Sequence, residues 1–190
     1  MGTIKVAVLA MFIAMGLLSF AHAGQIPVAS VTASGPYYHN TNLLIDGYIP
    51  GEGTAWTAGT NVYWNGTGTG FSLDFNKIYH LESMVLQVDN NDRYGVMYST
   101  DNVNWFNLFV IEVYHGNVTW GMDTFYIPPE IGFTPVDARY IRFSALGGDN
   151  MYAVSEIQAF GTSSAVPEPV TMVLLGIGLT GILGLRRKLN

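Results

Sequence analysis

The chain has 190 residues, a formal net charge of −6 and no cysteine. An acidic chain lacks the basic surface that a phosphate backbone demands, which argues against nucleic acid as a partner. Without thiols the fold must rest on a hydrophobic core or on a metal rather than on disulfides.

At the start of the chain, Lys5 precedes an apolar run from Val6 to Phe20, and Ala21-His22-Ala23 has the small-x-small pattern of a signal-peptidase site before Gly24. Residues 1–23 are expected to be a signal peptide, and the product to be exported. Between Gly24 and Ala165, thirteen carboxylates face four cationic side chains, a net charge of −9. That span is the usual size of one domain, which is assigned to residues 24–161. Its hydrophobic pattern has period two. In "FSLDF", Phe71, Leu73 and Phe75 face one way while Ser72 and Asp74 face the other; "SMVLQV", "YGVMYS" and "RYIRFSA" alternate in the same manner. The turn clusters "DNND", "TDNVN" and "LGGDN" separate these strands, and no stretch of the domain has helical spacing. An all-β antiparallel sandwich or jelly roll is the expected architecture.

Two loops offer chemistry that recognises sugars. Trp64 in "VYWNGTGTG" and Trp120 in "HGNVTWGMD" are flanked by Gly, Asn and Thr, and an aromatic on a loop tip is a platform for a sugar ring. The "DNNDRY" loop brings Asp89, Asn91, Asp92 and Arg93, the carboxylates, amide and guanidinium that read hydroxyls through directional hydrogen bonds. The same residues would equally make a solvated hairpin turn and half-buried tryptophans. Asp89 and Asp92 could be drawn as a glycosidase pair, but such a pair must flank a cleft and a hairpin turn makes none. Gly-x-Ser-x-Gly, His-Glu-x-x-His and Walker-type motifs are absent, so the domain is read as non-enzymatic.

Residues 162–166 form a polar linker, and residues 167–190 differ in kind from everything before them. Pro167-Glu168-Pro169 precedes an uncharged apolar run from Val170 to Leu185, which stops at Arg186, Arg187 and Lys188. The run is near the short end of the roughly 17 to 25 residues that a spanning helix needs, and the basic stop supplies a cytoplasmic flank. This arrangement resembles the PEP-CTERM sorting signal. The resemblance implies an exosortase as processing partner, an intermediate held in the inner membrane by the C-terminal segment, and release to the cell surface or extracellular matrix of bacteria that make exopolysaccharide.

Within the domain, "LLIDGYIPGEGTAW", "FSLDF", "MVLQVDNNDRYGVMYSTDNVNW", "ARYIRF" and "SEIQAFG" follow one another in the order of discoidin domains, also called factor V/VIII type C or galactose-binding-like domains. The resemblance covers Ala29 to Gly161 and implies a β-sandwich jelly roll whose loops at one end bind carbohydrate, lipid headgroups or protein. It places Trp56 and Trp105 as core aromatics between the sheets. It also implies a structural calcium ion held by Asp46, Thr54 and Glu156 with carbonyls near Leu43 and Ser155; Glu52, in the longer "YIPGEG" loop, is a further candidate. Such an ion wants six to eight oxygens. The alternative is that Asp46 closes a turn with Gly47 while Glu156 pairs with Arg139 or Arg142. The functional expectation is binding of a glycan in the exopolysaccharide or biofilm matrix. The alternative is a structural or adhesive surface protein with no specific sugar.

Overall fold

A computed structural model describes residues 23–114, 116–128 and 133–163. The features expected in residues 1–22 and 164–190, including Pro167, Glu168, Pro169, Arg186 and Arg187, lie outside the described residues. Among the described residues no helix is long and apolar enough to cross a membrane.

The alternating segments are strands, as their period predicts. In chain order they are β1 (Gly24–Gln25), β2 (Ser30–Ala33), β3 (Val62–Asn65), β4 (Gly70–Asp89), β5 (Arg93–Ser99), β6 (Phe106–Ile111), β7 (Met122–Ile127), β8 (Val136–Gly147) and β9 (Met151–Ser163). A single 3-10 turn, Thr41–Leu44, is capped by Asn40, whose side chain accepts from the N–H of Asn42. "FSLDF" and "SMVLQV" prove to be two halves of one 20-residue strand, β4.

That strand organises both layers. Its first half, Gly70–Asp74, pairs with β2 on one side and β8 on the other, and β8 continues to β5 and then to β6. The register then shifts between Asp74 and Tyr79, a bulge of the kind that bends a strand. Its second half, from Met84 to Asp89, pairs with β7 and β9, and β9 also carries β1 and β3. Every pairing is antiparallel. The result is the antiparallel β-sandwich jelly roll that the sequence predicts.

Between the layers lies an aromatic centre. Trp64 is 0% exposed, with ring centroids 5.2 Å from Phe71, 5.8 Å from Tyr152 and 6.3 Å from both Tyr94 and Phe143. Tyr94 stacks on Phe143 at 5.1 Å, and its buried hydroxyl is satisfied by Asp92 Oδ2, by the carbonyl of Ala153 and by the N–H of Ala153. The expectation that Trp64 sits on a loop tip is therefore corrected. The Gly- and Thr-rich run begins one residue later, so Trp64 is the third residue of β3 and points inward with Val62.

The two ends of the described domain meet at one edge, where Gly24 lies opposite Gly161. The hairpin turns after β4 and after β8 lie at the other end of the sandwich, and there the loops converge.

Candidate functional site

Four loop segments enclose a cleft of about 310 Å³ at that end. Ala55 and Trp56 come from the loop before β3, Asp89 from the end of β4, Asn91 from the β4–β5 turn, Tyr114, Thr119, Trp120 and Gly121 from the loop before β7, and Asp149 from the β8–β9 turn. Trp120 stands at its wall, 67% exposed, and Tyr114 is comparably open.

Backbone hydrogen bonds fix the segments to one another. The N–H of Gly53 donates to the carbonyl of Met122 at 2.8 Å, and the N–H of Met122 donates back to Thr54 at 2.9 Å. Asn90 N–H donates to Gly121 at 3.1 Å and Tyr114 N–H to Asn90 at 2.9 Å, while the Asn90 amide reaches the carbonyl of Val118. Gly121 has φ +76°, and a side chain there would meet the Thr54 carbonyl at 2.7 Å, so only glycine lets the Trp120 loop approach so closely. The β8–β9 turn is held by Asp92 Oδ1, which accepts from the N–H of Asp149 at 3.1 Å. Asn91 Nδ2 donates to Asp149 Oδ2 at 2.9 Å.

Carboxyl groups dominate the polar lining. Asp89 is 3% exposed, and burial, reinforced by the charge of Asp149, pushes its carboxyl up to about 6. Asp92 is 1% exposed, and burial pushes it up to about 7. Asp92 does not line the cleft; it lies beneath, between Tyr94 and the backbone of Asp149. The expectation that the hairpin makes no cleft is thus corrected, since the turn becomes a wall once the neighbouring loops close on it. Asp89 and Asp92 still do not flank a substrate, because only Asp89 faces the opening.

Of the six residues expected to contact sugar, Asp89, Asn91 and Trp120 come together in the cleft. Trp64 is in the core, Asp92 is structural support, and Arg93 reaches across to Glu112, the residue after β6, with Nε to Oε2 at 2.8 Å. Sequence reasoning missed Asp149, read only as part of a turn, and Tyr114. Trp56 was expected between the sheets and is instead half-buried at the cleft, edge-on to Tyr63 at 5.4 Å. Trp105 is half-buried beneath the guanidinium of Arg142, 3.9 Å from the ring centroid.

The residues considered for calcium divide into two groups. Glu156 is fully buried in β9; its Oε1 accepts from Gly47 N–H and Gln158 Nε2, each at 3.2 Å, and its Oε2 has no partner among the described residues. Burial pushes its carboxyl up to about 7, and the nearby Asp46 adds to the shift. Asp46 also closes its own turn, accepting from the N–H of Tyr48 at 2.9 Å. An orphaned carboxylate oxygen beside a second carboxylate fits a hard cation. Glu52 and Thr54 are committed elsewhere, Glu52 accepting from Thr124 N–H at 3.1 Å and Thr54 donating to the Gly51 carbonyl at 2.6 Å. Among the described residues no three His, Asp or Glu side chains are gathered as a metal centre. Glu156 does not pair with an arginine; Arg139 instead binds Asp74 through two hydrogen bonds of 2.9 and 3.0 Å.

Comparison with known proteins bears on the family and the fold. A profile of the F5/8 type C domain matches residues 28–157, and a profile of the PEP-CTERM protein-sorting motif matches residues 165–188. Among solved structures, the chain is similar to the CBM32 domain of AlyQ in complex with 4,5-unsaturated mannuronic acid, with 18% identity, TM-score 0.50, and coverage of 72% of this chain and 98% of that one. Truncated AlyQ with CBM32 and alginate lyase domains is similar at 17% identity and TM-score 0.51, covering 78% of this chain and 36% of that one. A family 89 glycoside hydrolase from Clostridium perfringens in complex with 2-acetamido-1,2-dideoxynojirmycin gives 17% identity and TM-score 0.52, covering 76% of this chain but only 15% of the enzyme. At such identities the likeness is one of fold. A search of curated proteins gives no match.

Proposed function

The chain belongs to the F5/8 type C domain family and carries a PEP-CTERM sorting motif, and on that premise we propose that its domain binds carbohydrate of an exopolysaccharide or biofilm matrix without turning it over. The observation that carries this reading is the cleft itself. An exposed indole, Trp120, stands over polar side chains that are fixed by hydrogen bonds between loops. A pyranose ring stacks its apolar face on such an indole while Asp89, Asn91 and Asp149 accept or donate to its hydroxyls. Because the loops are already tied together, little ordering remains to oppose binding.

Asp46 and Glu156 would hold calcium, with Thr54 and Glu52 in the adjoining loop. The ion would supply positive charge to the orphaned oxygen of Glu156 and pin the Asp46–Gly53 loop, whose neighbours Ala55 and Trp56 line the cleft. Export, processing by an exosortase at the membrane and residence in the matrix follow from the sorting motif as part of the same proposal.

The test is a glycan array probed with the full chain and its Trp120→Ala variant, in calcium and in EDTA. Retention of one sugar class by the parent and not by the variant is the expected result. Equal retention by both would remove the cleft from the account. The structural or adhesive reading draws on a different feature, an apolar groove of about 510 Å³ between the open edges of β6 and β7, bordered by exposed Val110 and Tyr126. Absence of any glycan retention would favour it.

A further inference from the structure

The charge balance of the cleft narrows the class of glycan it can take, and this step rests on the carbohydrate-binding reading above. Two carboxylates, Asp89 and Asp149, line the opening beside three aromatic rings, Trp56, Tyr114 and Trp120, and no Lys or Arg is among the lining residues. A third carboxylate, Asp92, lies directly behind Asp149.

Among the described residues no Lys or Arg is left to neutralise them. The described residues contain four Lys and Arg side chains, and each is engaged elsewhere. Arg93 pairs with Glu112 and Arg139 with Asp74. Arg142 covers Trp105 at 3.9 Å, and Lys77 lies 5.0 Å from the ring centre of Tyr79. The carboxylates at the cleft are thus set against one another: burial is the main cause that raises the Asp89 carboxyl, and the charge of Asp149 adds to it. A neutral sugar would leave that repulsion in place, and a uronate would worsen it. A ligand with its own positive charge would relieve it. Exposed aromatic faces beside carboxylates are also the combination that holds ammonium groups, because the ring quadrupole attracts the cation while the carboxylate accepts its protons.

We propose that the cleft selects a glycan carrying free, protonated amino groups: a hexosamine polymer that has lost at least part of its N-acetyl groups. The amine would sit between Asp89 and Asp149, and the sugar ring against Trp120 or Trp56.

Isothermal titration of the full chain tests this with four probes: tetramers of β-1,4-linked glucosamine, the same tetramer N-acetylated, tetragalacturonate and tetralysine. The glucosamine tetramer is expected to bind at least about tenfold more tightly than its acetylated form, and the uronate not at all. Asp149→Asn retains the turn-closing bond to the N–H of Met151 and is expected to reduce the preference for the free amine about fivefold. Salt raised from about 50 to about 500 mM should narrow the same gap, since the contact is partly exposed. Equal affinity for free and acetylated tetramers, unmoved by Asp149→Asn but lost in Trp120→Ala, would overturn the amine selection and leave the carbohydrate site standing. Tetralysine bound as tightly as the glucosamine tetramer would show an amine site that does not read sugar. If no probe binds, both this selection and the carbohydrate reading fall.

Discussion

Trp64 and Trp120 come from similar stretches, each flanked by Asn, Gly and Thr, yet one is the centre of the core and the other the most open tryptophan of the cleft. The difference is tertiary. Trp64 belongs to β3, whose pairing with β9 turns alternate residues inward against Phe71 and Tyr152, whereas Trp120 precedes β7 by two residues and no strand partner directs it. The core is closed by apolar shape, and the cleft by hydrogen bonds between loops that keep carboxyl groups dry.

The sharpest way to break this comparison is to remove each ring. Trp64→Ala should cost about 3–5 kcal/mol of stability by cavity formation, read as a lower urea midpoint. If the midpoint is unchanged, the ring is not core. Calcium comes next. At about one hundred times its dissociation constant it should stabilise the protein by about 2.7 kcal/mol, read as a higher melting temperature. Glu156→Gln should abolish that rise, and equal melting of the parent with and without calcium would dismiss the ion. Trp120→Ala should change stability by less than about 0.5 kcal/mol, as expected of an exposed ring. Its glycan affinity, by contrast, should fall about tenfold or more, through about 1–3 kcal/mol of lost stacking and burial.

The smallest effect concerns pH. The folded state holds the proton of Asp92 more tightly than the unfolded chain does, with the carboxyl raised from 3.8 to about 7. The protonated form therefore favours folding, and its contribution is lost as pH rises across that window. Melting curves should move down between pH 5 and pH 8 by several degrees at most, and Asp92→Asn should lessen the dependence without abolishing it, because an amide has no proton to lose while the raised carboxyls of Asp89 and Glu156 remain. A parent protein whose melting temperature rises over that interval would contradict the burial of this carboxyl.

Period-two alternation was enough to read the sandwich, because Phe71, Leu73, Ile141 and Phe143 are buried while Ser72 and Arg142, between them, are not. Half of the residues expected to contact sugar prove to line the cleft, for the same kind of reason. Asp89, Asn91 and Trp120 sit in or beside turns whose composition marks them as loops. Asp149 was not, since its proximity to Asn91 spans 58 positions of sequence and depends on two hairpin turns ending side by side. Trp56 escaped because nothing local distinguishes a ring between sheets from one at their rim. Arg93 looked like part of the loop chemistry, but it is already the first residue of β5, and its side chain pairs across the strands with Glu112, just past β6.

The path of β9 has a mechanical consequence. It starts two residues after Asp149, at the mouth of the cleft, and ends at Ser163, beside the pairing of Gly24 with Gly161. On β4, its neighbour, Leu81 lies opposite Gly161 and Asp89 lies at the cleft, eight strand steps or about 26 Å apart. Whatever holds the chain beyond Ser163 therefore pulls at the pole opposite the cleft. Tension between the two runs along β9 and is shared by its row of hydrogen bonds to β4, loaded side by side in shear rather than peeled one at a time. On the proposed function, a chain held beyond Ser163 and bound to a polymer at the cleft would be gripped along its strongest axis.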